Sequence, residues 1–435
     1  MRWKFSAALA IAIGLLGADR AFIPYASVKS IPELPAELKD GGDSAWLAWA
    51  RHEDKAIRAR LEQGDLDSMV NLLLLGTSFT RQPRIRMEGL AEASKSGVLR
   101  ARVDDLVAAL RDPGNNERLV FLQSLLRNQG IDADGSGAFI YKNLLRVMQE
   151  RKALAERAAD AQGVARSSLF RDRGLSLDTG IFPDFSIEQS LRDLKSHRVL
   201  GEGQVVRVAV IGPGLDFIDK NEDSAYDYYP QQTLQPFLLY DSLVRLGLAK
   251  AGALSVSILD ISPRVIEHIQ RARERARKNT GYVIQLPRDS ARPWPPELIA
   301  YWRLLGDQVG TAVAPIRPPE IFPGLETRAV RIRADVVRAC EPVDLDIVLQ
   351  RLNLPPADRF DLVVGTNIFV YYDVFEQTLA LENVGAMLKP GGLLLTNDRL
   401  PEDPHGSMQP AGITVVPFDS AGASAREAVS WYRKQ

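Results

Sequence analysis

An apolar, β-branched run, VVRVAVI at 205–211, ends directly in Gly212-Pro213-Gly214. Glycines at such a turn let backbone approach a bound molecule where a side chain would collide. SILDIS then sets Asp260 at the end of a second such run, 46 positions after Gly214. A carboxylate at a strand end can accept both hydroxyls of a ribose. The pattern that binds a pyrophosphate is G-x-G-x-x-G, but here the third place is Phe217. Asp216 also puts negative charge where a pyrophosphate would sit. The constellation therefore suits a nucleoside without phosphates. A nicotinamide dinucleotide, and with it an NAD-dependent oxidoreductase, is the poorer match.

The elements that position these residues read as strands and helices in alternation. LSVSILDI (254–261), AVRIRADV (329–336), FDLVVGTN (360–367) and GGLLLTND (391–398) follow the first run, with helical stretches between several of them. Near-continuous apolar strands separated by helices predict an α/β, doubly wound, mostly parallel sheet buried on both faces. ITVVPFD (413–419) and VSWYRKQ at the end of the sequence predict a C-terminal antiparallel hairpin. Upstream, residues 43–165 carry a helical period. Asp43 or Ser44, and Asn115 or Asn116, stand as caps, and Gly130 marks a helix end. The expected organisation is an N-terminal segment (1–21), a Pro-rich extended linker (22–42), an all-helical domain (43–165), a connector (166–204) and the α/β domain (205–435). Two insertions, 216–233 and 281–327, interrupt the last of these. IDADGSGAFIYKN (131–143) has the start of a calcium loop, but Asn143 replaces the closing bidentate Glu, so an inter-helix turn is expected.

The 435 residues carry 54 Lys+Arg against 55 Asp+Glu, a net charge of -1, which gives no cationic surplus for nucleic acid. One cysteine and four scattered histidines argue against a disulfide framework or a metal centre. MRWKFSAALAIAIGLLGA at 1–18 has a positive start and fourteen mostly apolar residues, too short to span a bilayer comfortably. A signal peptide, an uncleaved anchor giving membrane association through 1–21, and an ordinary N-terminal helix all stay open.

The stretch 185–435 resembles the class I S-adenosylmethionine-dependent methyltransferases. AVIGPGLDF, SILDIS, RIRADVV and FDLVVGTNIFVYYDVFEQTLALENVGAMLKPGGLLLTND carry the resemblance. It implies a Rossmann-like sheet, S-adenosyl-L-methionine as cofactor and a small-molecule or protein methyl acceptor. Gly212 and Gly214 would pass under the methionine part, and Asp260 would hold the ribose hydroxyls. Ile261 would pack on adenine, Asp335 with Val336 would meet its edge, and Thr366-Asn367 would line the methyl-donor side. The family's acidic residue two places before the first glycine is Val210 here, with Asp216 a nearby substitute carboxylate. Should the acceptor need to lose a proton, Tyr371, Asp398 and His405 are the candidate catalytic groups. A cytoplasmic cofactor conflicts with an export or inner-membrane segment. The rival reading is therefore a non-catalytic binding or interaction protein that retains the methyltransferase sheet.

Overall fold

The computed structural model describes residues 19–158, 179–217, 226–418 and 426–435. Residues 1–18, most of the N-terminal segment expected above, lie outside them, as do 159–178 of the helical domain and connector and 218–225 of the first insertion. No helix among the described residues is long and apolar enough to cross a membrane.

The chain opens with β1 (Arg20–Phe22), then α1 (Ala36–Lys39), α2 (Gly42–Leu75), α3 (Leu90–Lys95), α4 (Val98–Arg111), α5 (Glu117–Asn128) and α6 (Ser136–Ala158). Asn116 caps α5 by accepting from the backbone N–H groups of Arg118 and Leu119, and Gly130 follows it at φ 69°. Asp43 lies inside the first turn of α2 rather than at its cap, where its charge still complements the helix N-terminus. Between α5 and α6 the Asp132 carboxylate accepts from Gly135 N–H, and Asn143 bonds the Phe139 carbonyl within α6. The calcium-like stretch is thus an inter-helix turn running into a helix.

Next come α7 (Ile181–Ser196), β2 (Arg207–Ile211), α8 (Gln235–Arg245), β3 (Ser255–Asp260), α9 (Pro263–Arg277), β4 (Tyr282–Asp289), α10 (Pro296–Leu304), β5 (Gly310–Val313), β6 (Leu325–Ile332), α11 (Ala334–Ala339) and β7 (Cys340–Asp344). The chain closes with β8 (Gln350–Leu352), β9 (Phe360–Gly365), α12 (Val374–Met387), β10 (Leu388–Thr396), β11 (Met408–Pro417) and β12 (Arg426–Lys434). Seven strands form one sheet in the order β7-β3-β2-β9-β10-β12-β11. Only β12 runs against its neighbours, so the expected doubly wound sheet with a C-terminal antiparallel hairpin is what the chain forms. The order reverses between β2 and β9, and ligands bind at such a switch point, beyond the carboxyl ends of the strands.

The period of two in the strands divides two cores. Val208, Val210, Leu362, Val364, Leu393 and Leu395 face one, with α7, α8 and α9. Ala209, Ile211, Val363 and Leu394 face the other, with α12. That second core also takes Trp46, Ala50, Ile57 and Leu61 from the first half of α2. The second half of α2, Met69–Leu75, joins the helical core with α4, α5 and α6. One helix therefore belongs to both halves of the protein.

Two expectations are corrected. Residues 22–42 are no loose linker: β1 pairs with β8, and Ile23, Val28, Ile31, Leu34 and Leu38 are buried against the sheet domain. The second insertion is larger than 281–327 and folded, a three-stranded antiparallel sheet in the order β4-β6-β5. It takes in AVRIR, which belongs to β6 and not to the main sheet.

Candidate functional site

Gly212 and Gly214 follow β2 at φ 58° and 69°, a left-handed region where a Cβ is strained. Gly212 N–H bonds the Leu259 carbonyl at 2.8 Å, so the turn is laced to β3. The side chain of Ile368 lies over Gly212: a Cβ there would meet Ile368 Cδ1 at 2.2 Å. Across from the glycines, Asp260 ends β3, 6% exposed, with Oδ1 accepting from Ser262 N–H at 2.7 Å. Burial pushes its carboxyl up to about 7, and Asp344, its register partner on β7, adds a like charge.

Around these residues lies a cavity of about 40 Å³, lined by Leu61, Ile211, Gly212, Gly214, Leu259, Asp260, Ile261, Leu345, Ile347, Ile368, Tyr371 and Tyr372. Its acidic rim is completed by α2. Arg58 bonds Asp54 at 3.0 Å, Asp344 at 2.8 Å and the Ile261 carbonyl at 3.3 Å. Arg60 bonds the Tyr371 carbonyl at 3.1 Å and sits over the Tyr372 ring. Asp346 is fully buried, with Oδ1 on Val348 N–H at 2.9 Å. Burial first, and then Asp54 beside it, raises Asp346 to about 8.

The residues expected at the site divide. Gly212, Gly214, Asp260, Ile261 and Tyr371 line the one cavity. Asp335 and Val336 are elsewhere: Asp335 starts α11 and pairs with Arg333 at 3.2 Å, while Val336 is packed in the core. The third strand of the main sheet is CEPVD, not RIRADVV, so the acid that follows it is Asp346, set between the cavity-lining Leu345 and Ile347. The signal for it was present in VDLDIV at 343–348.

Asp216 turns away from the glycine turn. Its carboxylate accepts from Tyr229 Oη–H at 2.6 Å and Gln232 Nε2–H at 3.2 Å. It lines a separate cavity of about 120 Å³ with Phe182, Tyr226, Trp294 and Arg288. Its backbone is held by the helical half: Arg118, 2% exposed, donates to the carbonyls of Asp216, Phe217, Asp227 and Tyr229. Phe217 is buried edge-on to Phe121 in the helical core.

At the ends of β9 and β10, Thr366 Oγ1 accepts from Gln235 Nε2–H at 2.8 Å. Asn367, at φ 57°, is locked to Asn397 by two bonds of 2.7 Å. Asp398 accepts from Phe369 N–H at 3.1 Å, which shapes the loop carrying Ile368 and Tyr371. His405 lines neither cavity. It bonds Ser30 Oγ at 2.7 Å and Glu382 at 2.5 Å, and with Asp403 these ligand atoms lie within 4.8 Å of one another. These contacts, which tie residues 22–42 to α12, remove His405 from the acid–base candidates at the cavity.

No protein-family model and no curated protein sequence matches the chain. Among solved structures it is similar to N-methyltransferase NodS from Bradyrhizobium japonicum WM9, at 13% identity, over 58% of this chain and 96% of that one, with a TM-score of 0.28. The glycopeptide N-methyltransferase MtfA complexed with sinefungin matches at 12% identity, over 58% and 94%, with a TM-score of 0.28. Magnesium protoporphyrin IX methyltransferase ChlM from Synechocystis PCC 6803, with bound SAM, matches at 10%, over 63% and 99%, with a TM-score of 0.26. Likenesses this distant carry no residue role across.

Proposed function

We propose that the chain is an S-adenosylmethionine-dependent methyltransferase whose cofactor pocket is the cavity between the glycine turn and Asp260. The observation that carries this reading is a buried carboxylate at the end of β3 facing two positive-φ glycines at the switch point of the sheet. The lining fits: Asp260 for the ribose hydroxyls, and Ile261, Leu345 and Ile347 for the two faces of a purine. Hydroxyl donors reaching Asp260 favour its ionised form and draw its raised carboxyl back down. When bound, the cofactor supplies a methyl group already activated on a sulfonium sulfur. The protein's task is then to orient the acceptor and exclude water, which can supply much of the rate. Tyr371 and the loop held by Asp398 stand beside the methionine end of this pocket.

A second reading has its own observation. A cavity of about 40 Å³ is little more than the space of one water, whereas ligand pockets run to roughly 300 Å³ and beyond. Ile368 and Leu61 must withdraw before a nucleoside fits. A chain that keeps them in place is a binding protein with a filled methyltransferase sheet.

Calorimetric titration of the full chain with S-adenosylmethionine, beside Asp260→Ala, separates the two. Saturable binding lost in the variant supports the enzyme, and silence from a folded wild type supports the filled sheet.

A further inference from the structure

Neither insertion lines the cofactor cavity, yet both meet at the second, larger cavity of about 120 Å³. The first insertion gives it Asp216, Tyr226, Tyr229 and Gln232. The second gives it Pro287, Arg288 and Trp294, and the start of α7 adds Ile181 and Phe182. Gly214 lines the cofactor cavity and Asp216 this one. Two positions of chain span at most about 7 Å, so the two cavities are neighbours.

The rings in this wall are held by other rings. Phe182 meets Trp294 edge-on with centroids 5.5 Å apart, and Phe418 at 5.1 Å. Tyr226 meets Phe322 edge-on at 5.1 Å. Such pairs favour one mutual orientation, so the aromatic surface is set before anything binds. The charges in the wall, by contrast, are already met. Asp216 accepts from Tyr229 and Gln232 and has the Arg118 guanidinium 3.9 Å away. Asp289 pairs with Arg292 at 3.6 Å. Arg288 pairs with Glu326 at 3.2 Å, and its guanidinium lies 5.5 Å from the Trp294 ring and 5.7 Å from that of Trp302. The Nε–H of Arg288 has no partner, but it is buried and presents nothing to an incoming anion.

We propose that this cavity binds a flat, uncharged aromatic ring, the part of the methyl acceptor held beside the cofactor. An apolar cavity of roughly 150 Å³ takes up benzene, so about 120 Å³ is the scale of a single ring. Such a ring meets Phe182, Tyr226 and Trp294 by face or edge and buries apolar surface against Ile181 and Leu234. An ammonium or carboxylate would give up its hydration and find every charge in the wall already spent. The role as acceptor site rests on the methyltransferase reading, whereas ring binding does not.

The test titrates the full chain calorimetrically, at constant ionic strength, with benzyl alcohol. Benzylammonium and benzoate are the charged probes of the same ring, and cyclohexylmethanol is the neutral probe without flatness. Saturable binding of benzyl alcohol is expected, at least about tenfold tighter than that of the other three. Trp294→Leu and Phe182→Leu remove rings at partly exposed positions and should each weaken it severalfold, with folding checked by circular dichroism. No saturable benzyl alcohol binding by the wild type, equal binding by both variants, or a charged or non-planar probe that binds as tightly overturns the site. A parallel S-adenosylmethionine titration keeps the two readings apart. If it is silent while benzyl alcohol binds, the ring site stands and only its role as acceptor site falls; if it alone gives binding, the ring site falls and the cofactor pocket stands.

Discussion

Arg58 Nη1 lies 2.8 Å from Asp344 Oδ1, and this bond fastens the long helix α2 to the strand edge beside the proposed cofactor pocket. Both side chains are partly exposed, at 26% and 47%, so the pair contributes only about 0–1 kcal/mol to stability. Its effect falls on access instead, because the same guanidinium also holds the Ile261 carbonyl and the same helix brings Leu61 into the cavity.

Arg58→Met and Asp344→Asn should therefore speed S-adenosylmethionine association severalfold with little loss of stability. Stopped-flow fluorescence measures the rate and urea unfolding the stability. Unchanged association in both variants would show that α2 does not gate the pocket.

Arg118 presents the opposite balance. It is buried and donates to the carbonyls of Asp216, Phe217, Asp227 and Tyr229 after the glycine turn, none of which lies in a helix or strand. Arg118→Met removes the donors and leaves buried acceptors behind, with an expected cost of about 3–5 kcal/mol. Chemical denaturation should show that loss. A cost under about 1 kcal/mol would mean the carbonyls find other donors.

The pocket carboxyls also set a pH dependence. Asp260 and Asp346 have folded values raised to about 7 and about 8, so the folded chain holds protons that the unfolded chain releases near 4. Their stabilising contribution is full below about pH 4 and is lost as pH rises through 7 to 8. His268, buried and lowered to about 4, works the other way, but only between about 4 and 6.5. Between about pH 6.5 and 8 stability should thus fall, by at most ~1.4 kcal/mol per pH unit for each proton released. Urea midpoints across that window should decline for the wild type and run flatter for Asp346→Asn; parallel slopes refute the assignment.

Much of this arrangement was readable in the residues, and the failures have physical causes. VVRVAVI, SILDI and FDLVV are central strands covered on both faces, so their apolar runs are continuous and their ends could be placed, Gly212 and Asp260 among them. CEPVD is an edge strand with a mixed burial pattern, and it tolerates Pro342 because an edge position can spare a donor. AVRIR shows stronger alternation, yet pairs with β4 in the smaller sheet. Strand character can be read locally, whereas the choice of partner cannot. That single misplacement put the expected adenine contact at Asp335, which lies away from the cavity. The contacts of His405 with Ser30, and of Arg118 with Asp216, join residues 375 and 98 positions apart, and no local spacing signals them.

The glycine turn allows the sharpest test of how the cavity is filled. Gly212→Ala carries two separable penalties: a positive φ, worth about 1–2 kcal/mol for a residue with a Cβ, and the collision with Ile368 Cδ1 at 2.2 Å. Ile368→Ala removes the second and leaves the first. A double-mutant cycle on urea stability should therefore show coupling of about 0.5–3 kcal/mol, the double variant being less destabilised than the sum of the two single ones. Ile368→Ala alone also enlarges the space over the glycine turn, so it should tighten S-adenosylmethionine binding while lowering stability. Additive stabilities would place the Ile368 side chain away from Gly212 in solution. Binding that weakens in Ile368→Ala would show that the isoleucine packs on the cofactor rather than occupying its place.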